Sequence, residues 1–539
     1  MYKKTVECNK TDILYALKEA RRPMQEFYDP TKENLPFFQN ISSGGKIGNF
    51  HHFSYSAGHI AGRWLDALVD IDEMTGVPTD PVFYDWLEHW ARKILQNPAK
   101  LVACINLNTL EPLSVYDCHN LREGMYALTA LVKLGRKPEE TIALGEAMID
   151  SVNRYFDFEA CAWNQELFWA EQNGALLNCS CPKENKLYYT STVGRYISGL
   201  LKWYQATGSA KALEQAIRIQ ESGFKRIIPE DGSFDIATMG AHIHSTTSTM
   251  LALSQLGNLL KSDSILQRVR AFVENGLKTI ALDFGWCTEN IGRSDFVGEI
   301  NNTAEIMEIC LMLGAAGDVD AYARAERIIR AHMLPSQVLD THFIPDESNP
   351  TGDRSTDRLA QRTKGAFGFA CPFGHEDSPG AEISYNWDIV AGAVSGLSQA
   401  VRYQTTWDNG LLSINMLFDM ENSRISFVSP YSNNGTAVIK AKTPGVIRIR
   451  CPNSLKGMES VVSDPKIKMT VSDQWIYFSN VEAGAEIFLT MLFEPEYIEY
   501  HWKGSILSTC WLGDSIVKMS AEQKRLCFFD SLGCADRKD

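Results

Sequence analysis

Five times in the first 320 or so residues an apolar helical pattern runs into a glycine: Met74-Thr75-Gly76, Lys133-Leu134-Gly135, Ala206-Thr207-Gly208, Gln255-Leu256-Gly257 and Ala315-Ala316-Gly317. Glycine just past the last helical turn takes the left-handed conformation without a side-chain clash. The gaps between these glycines are 59, 73, 49 and 60 residues. A helix pair with its return loop needs about that length at roughly 1.5 Å of rise per residue. A chain that repeats this unit stacks helical hairpins. Apolar periodicity predicts twelve helices, near 11–21, 55–75, 82–96, 119–134, 138–156, 190–206, 209–224, 243–256, 263–279, 301–316, 319–333 and 383–404. Six hairpins suit an (α/α)6 toroid with an inner and an outer ring. An open solenoid is the alternative, because periodicity says nothing about closure.

The pattern changes after Trp407-Asp408-Asn409-Gly410. Short strands are expected at 412–418, 438–440, 446–450, 467–471, 475–478 and 486–493, with Asn433-Asn434-Gly435 as a turn. The expected fold is mainly α with a C-terminal all-β part: a toroid domain over 1–405, then an antiparallel β-sandwich domain with a tail over 406–539.

Composition narrows the partners. A net charge of −14 with no basic tract argues against nucleic acid. No apolar run approaches the roughly 20 residues that span a bilayer. The first ten residues lead into a charged helical stretch rather than an apolar signal core. The 13 cysteines are odd in number and form no Cys-x-x-Cys pair. That fits reduced thiols and a cytoplasmic location. Cys179-Ser180-Cys181 near Cys161 lacks the second ligand pair a zinc site wants. A homo-oligomer remains open.

The long links at 97–118, 157–189, 280–300 and 335–382 are where function is expected. Glu289 lies in a loop with Gly, Trp and Asn, and Glu299 opens a helix. Glycoside hydrolysis needs one carboxyl to protonate the leaving oxygen and a second to activate water or attack carbon. The helix dipole favours an ionised Glu299, which suggests Glu289 as acid and Glu299 as base. The plain reading of Glu299 is a helix-start carboxylate. His119 and Arg122 are three apart and share a helix face, fit to hold hydroxyls or a carboxylate. Their plain reading is a helix start capped by Asp117 with a surface arginine. His242 and His244, at i and i+2, suit hydrogen bonds to substrate better than a metal. His375 and Glu376 sit in a Gly/Pro-rich loop where ionisable neighbours are costly unless solvated or used. Arg63 and Trp64, beside Gly58 and Gly62, are fit to bind and stack on a sugar, although such glycines commonly serve helix packing. Glu305 and Glu308 read as a structural face. No metal and no cofactor are expected.

Several local motifs resemble a known family. Ala316-Gly317-Asp318, Tyr322-Ala323, Glu326-Arg327 and Leu334-x-Ser336-Gln337 are similar to a helix pair of the glycoside hydrolase family 127 β-L-arabinofuranosidases. Gly298-Glu299-Ile300-Asn301 falls where those enzymes carry Ala-Glu-Thr-Cys, Gly368-Phe369-Ala370-Cys371 where they carry paired cysteines, and Leu411 to Leu417 at their first sandwich strand. The resemblance implies a toroid-plus-sandwich glycosidase. The family holds zinc with a glutamate and three cysteines, one of them the nucleophile. Here Asn301 and Ala370 replace two of the thiols, which puts zinc–thiolate chemistry in doubt. The chain then looks like a divergent relative such as the family 154 β-glucuronidases. The implied activity is exo-hydrolysis of a terminal sugar, a β-linked uronic acid among the candidates, from a glycoside or oligosaccharide. A polysaccharide lyase or sugar epimerase on the same toroid, and a non-catalytic carbohydrate-binding scaffold, are the rivals.

Overall fold

A computed structural model describes the chain apart from residues 1–2, 5–7, 44–45, 48–49, 181–185, 293–295, 345–351, 353, 355–356, 376–382, 521–525, 534–535 and 537–539. The amino-terminal three quarters are helical and the remainder is rich in strands. Among the described residues, twelve helices have eight residues or more: α1 (Ile13–Ala20), α2 (Ser56–Thr75), α3 (Pro81–Leu95), α4 (Leu121–Lys133), α5 (Pro138–Tyr155), α6 (Arg195–Thr207), α7 (Ala210–Arg226), α8 (Ile243–Leu260), α9 (Asp263–Ala271), α10 (Ile300–Ala315), α11 (Val319–Ile328) and α12 (Asp388–Gln404).

The even-numbered helices pack each on the next, and α12 returns to α2. The odd-numbered helices lie outside them: α3 on α2, α5 on α4, α7 on α6, α9 on α8, α11 on α10, and α1 on α12. Burial follows this division. Helix α10 is buried from Ile300 through Gly314, whereas α7 buries one stripe that includes Ala212, Ala216 and Ile219, as an amphipathic helix on a core does.

Helix starts divide the same way. Asp12, Asp80, Ser209 and Asp318 cap four outer helices with a side-chain oxygen on a backbone N–H. None of the six inner helices has a side-chain cap. Their positive dipole ends face whatever lies beyond.

The glycine signal served four helices and misled at one. Gly76 and Gly208 end their helices at φ +66° and +75°, and Gly135 and Gly317 also take positive φ. Gly257 lies inside α8, which runs on to Leu260 and ends on Lys261 in the left-handed region. A Cβ at Gly257 would sit 2.9 Å from Leu266 Cδ2, so this glycine permits close approach of α9.

The strands after 404 form two five-stranded sheets. One joins Thr405–Asp408, Leu411–Ile414, Gly445–Arg450, Trp475–Val481 and Lys468–Ser472. The other joins Met420–Glu421, Ile425–Val428, Thr436–Ala441, Glu486–Phe493 and Leu455–Val462. Leu412, Ile447, Ile449 and Phe478 of the first share a core with Phe427, Ile439, Ile487 and Leu489 of the second. A further sheet, of Pro495–Trp502, Ser505–Leu512, Ser515–Met519 and Asp530–Ser531, stands apart. Its Tyr500, Trp502, Trp511 and Met519 belong to the core of the helical region.

Glu326, one of the motif residues, joins helices to strands. It accepts from Arg450 (2.6 Å), Arg330 (2.9 Å) and the Leu417 amide (2.8 Å), and Arg450 also reaches Asp514 at 3.1 Å. No described helix is long and apolar enough to cross a membrane.

Candidate active site

A cavity of about 320 Å³ opens at the amino ends of the inner helices. Tyr55 and His59 reach it from the start of α2, His119 from the turn before α4, His242 and His244 from the start of α8, Glu299 from the residue before α10, and Asp388 from the first residue of α12. Phe38, Phe53, Ser180, Glu289, Asn290 and Asn386 complete much of the wall. The Phe53 and Tyr55 rings stack at 5.2 Å with planes 3° apart. Glu289 is half-buried, and its loop is tied to the start of α8 by the Ile243 amide donating to its carbonyl at 3.0 Å.

Glycine sets how closely these helices approach. A Cβ at Gly62 would lie 2.2 Å from the Glu123 carbonyl oxygen, and one at Gly392 would lie 1.8 Å from Asn301 Oδ1. Any side chain at either position would spread the ring at the cavity floor.

Behind the lining runs a buried network. Asp388 accepts from Arg63 at 2.8 Å and faces His59 Nε2 at 3.1 Å. Arg63 also donates to Asn301 Oδ1 at 3.0 Å. The Asn301 amide nitrogen donates to Glu299 Oε1 and lies 3.3 Å from Asp388 Oδ2, so it bridges the two carboxylates. Glu305 is a second hub. It accepts from Arg122 (3.1 Å), Thr247 (2.6 Å) and Ser248 (2.5 Å), and meets His244 Nε2 at 3.1 Å. His119 Nδ1 lies 2.9 Å from the Ser191 carbonyl, and Arg195 caps its other nitrogen.

These contacts set the charges. Burial, then Asp388 and Glu289, push the Glu299 carboxyl well above the usual carboxylate range. Burial works the same way on Asp388, but His59 and Arg63 outweigh it and hold that group well below its ordinary value. Burial and the Arg195 charge push His242 down to about 3 and carry His119 and His244 well below the imidazole range. The lining thus holds neutral imidazoles beside carboxyl groups of opposite tendency, the condition for an acid and a base to coexist. The dipole argument for an ionised Glu299 fails because burial and two like charges exceed what a helix start supplies.

The expected site residues divide into three groups. Glu289, Glu299, His119, His242 and His244 meet in the cavity. Arg122, Arg63 and Trp64 do not line it. Arg122 is held by Glu123, Ser248 and Glu305, Arg63 lies behind Asp388, and the Trp64 indole donates to the Trp387 carbonyl in the core. His375 is buried in a short strand against Phe343 and Phe528, and Glu376 falls outside the described residues. His59, Asp388 and the aromatic wall were missed. The Gly58-His59 pair beside Arg63 was the available signal for the first. Glu305, expected as plain structure, is the hub that positions His244.

The family's zinc ligands do not fit this site. Asn301 spends its amide on Glu299 and Asp388, Ala370 offers no donor, and Cys371 is buried in the strand Phe369–Cys371. Among the described residues, one group of three has ligand atoms within 4.8 Å of one another: His242, His244 and Glu299.

No family model matches the sequence, and no curated protein does. Solved structures do match in shape. A GH127 β-arabinofuranosidase is 12% identical with a TM-score of 0.59, over 95% of this chain and 84% of that one. A GH127 β-L-arabinofuranosidase from Geobacillus stearothermophilus T6 is 12% identical with a TM-score of 0.52, over 93% and 80%. The cellobiose 2-epimerase from Spirochaeta thermophila DSM 6192 is 12% identical with a TM-score of 0.51, over 72% of this chain and 96% of that one. In fold, then, the chain is like the GH127 β-L-arabinofuranosidases along nearly its whole length, the relationship its motifs implied.

Proposed function

We propose that this chain is an exo-acting glycoside hydrolase. In this reading an (α/α)6 toroid over 1–405 carries the site, a β-sandwich domain with its tail occupies 406–539, and Glu289 and Glu299 divide the acid and base work. One observation carries it: two carboxyl groups ten residues apart in sequence line the same small cavity, at the uncapped ends of the inner helices. About 320 Å³ lies at the low end of the roughly 300–1,000 Å³ range of ligand sites. That volume suits one sugar ring, hence a terminal residue. Phe38, Phe53 and Tyr55 offer an apolar face for such a ring to stack on. The closed cycle of inner helices and the two facing sheets support the toroid and sandwich assignment. The fold likeness to two GH127 enzymes agrees with the class and leaves the sugar open.

Charge bears on the sugar. No Arg or Lys lines the cavity among the described residues, and three of its four histidines are held neutral. A neutral terminal sugar therefore fits this wall better than a uronate. A second reading, sugar epimerisation, draws on those same neutral imidazoles, which are fit to take a proton from carbon. A panel of chromogenic pyranosides, furanosides and uronides, with products identified by mass, separates the readings. Release of a monosaccharide supports the hydrolase. Conversion of a free sugar with uptake of solvent deuterium, and no aglycone released, replaces it with the epimerase.

A further inference from the structure

Glu299 is 5% exposed, and no Arg or Lys touches it among the described residues. Its one hydrogen bond comes from Asn301, whose amide also serves Asp388. Facing it, 3.6 Å from Oε1, is His244 Nδ1. The other nitrogen of that ring meets Glu305 Oε1 at 3.1 Å. Glu305 already accepts from an arginine and two hydroxyls, so His244 donates there through Nε2–H. Nδ1 is left with its lone pair aimed at a carboxylate oxygen. Two acceptor atoms that face each other in a buried place need a proton or a cation between them. His242 stands alongside, its ring 5.7 Å from that of His244. Its Nδ1 is engaged by Ser245 Oγ at 2.9 Å, which leaves Nε2 for another partner.

We propose that His242 Nε2, His244 Nδ1 and the Glu299 carboxylate bind one divalent first-row transition ion, zinc being the representative case, with the remaining coordination position open to the cavity. Two imidazoles and one carboxylate are a donor set for zinc, manganese, iron or cobalt rather than for calcium or magnesium, which take oxygen ligands. Three protein ligands with an open fourth position are the pattern of a catalytic rather than a structural ion. Each ligand is oriented from behind, His244 by Glu305, His242 by Ser245 and Glu299 by Asn301, as metal-binding side chains commonly are. Bonds of roughly 2.0–2.2 Å require the three side chains to draw together from their present spacing. The site keeps Glu299 in common with the thiolate site of the resembled family and differs in its other ligands. It also replaces the earlier expectation that no metal is bound. The proposal rests on the hydrolase reading only for what enters the cavity: with an ion bound, Glu299 would be a ligand, and its share of the acid and base work would pass to water held by that ion.

The test is direct binding, with no substrate present. The full-length chain is stripped with chelator and titrated with zinc, and with cobalt(II) as a spectroscopic probe. The expected result is one ion per chain. The cobalt form should show weak visible bands and no thiolate-to-cobalt absorption in the near ultraviolet. His242→Ala and Glu299→Gln should each weaken zinc binding by about 100-fold or more, and Glu305→Gln by about 10-fold or more. Cys371→Ser should leave binding unchanged. Melting curves of the chelated proteins show whether each variant folds, and Glu305→Gln, which keeps the shape of the side chain, serves if His242→Ala does not. No stoichiometric ion, or an ion lost in Cys371→Ser and kept in His242→Ala, overturns the proposal. Either result leaves the hydrolase reading to its own assay, and a bound ion without glycoside cleavage would sink that reading while sparing this one.

Discussion

At their amino ends five of the six inner helices gather Glu299, Asp388 and four histidines around a cavity of about 320 Å³. At their carboxyl ends the same ring holds Lys202, Gln205, Gln255, Asn258, Gln399 and Tyr403 around one of about 360 Å³. Size does not separate the two mouths. Charge compensation does. At the carboxyl mouth Lys202 pairs with Asp66, and Arg402 pairs with Asp70 at 2.7 Å and Glu73 at 2.8 Å. The cations sit where the helix dipoles are negative. At the amino mouth Asp388 is answered by Arg63 and His59, while Glu299 is not. A group held against its preference has been retained in a cavity with an aromatic wall, and that is the mouth where chemistry is expected.

Exchanging the charges should therefore give opposite results at the two mouths. The largest effect falls on Glu299→Gln. On the best glycoside found, turnover should drop by about 10³-fold, and the melting temperature of the chelated protein should hold or rise, since an uncompensated buried carboxyl has been removed. Loss of stability together with activity would make Glu299 a structural residue. Lys202→Met should do the reverse. Removing one partner of a largely buried pair leaves Asp66 uncompensated and costs about 3 kcal/mol, while turnover stays within about threefold. A large loss of turnover would show that the mouths are not independent. Phe53→Ala removes part of the stacking wall and should raise KM by about tenfold with kcat nearly unchanged, corresponding to about 1.4 kcal/mol of ring contact. An unchanged KM would remove the aromatic wall from the account.

The smallest effect concerns the one unanswered carboxyl on the far side. Burial pushes Glu308 up to about 8, with Lys202 pulling against it. A carboxyl whose folded value is raised binds its proton more tightly in the native state. Its contribution to stability is present below the ordinary carboxyl range and is lost as pH rises through about 8. Between pH 6 and pH 9 the wild-type chain should thus lose more melting temperature than Glu308→Gln, by about 2 °C. Parallel curves would mean that Lys202 compensates Glu308 after all.

Much of the ring was legible because its signals are local. Helix periodicity and terminal glycines placed most ends of α2 through α12 within two residues; the exceptions are the starts of α6 and α12 and the ends of α8, α9 and α11, and Ile383–Asn386, expected as the start of α12, is a strand. Gly257 misled because a glycine that admits a neighbouring helix looks, in sequence, like one that ends its own. Strands such as Glu486–Phe493 alternate buried and exposed and were found. Leu455–Val462 was missed, since as an edge strand it buries no residue fully. In the site, Glu289 and Glu299 announced themselves by standing in a long link and at the helix start that ends it, and His242 and His244 by standing at a helix start. Asp388 and His59 did not. Each looks like an ordinary first-turn residue, and their contact joins positions 329 apart through the closure of α12 on α2. Trp64 and Arg63 were misplaced for the same reason, because the rotation of α2 about its axis is set by α4 and α12.

Glu289 offers the cleanest single test of the central claim, since it lines the cavity from a loop and is not one of the three proposed ion ligands. The measurement is turnover of Glu289→Gln on the best glycoside, beside its melting temperature. The account predicts a fall of about 10²–10⁴-fold with the melting temperature unchanged. A rate within a few-fold of wild type would contradict the claim that this mouth of the ring cleaves glycosides with Glu289 and Glu299.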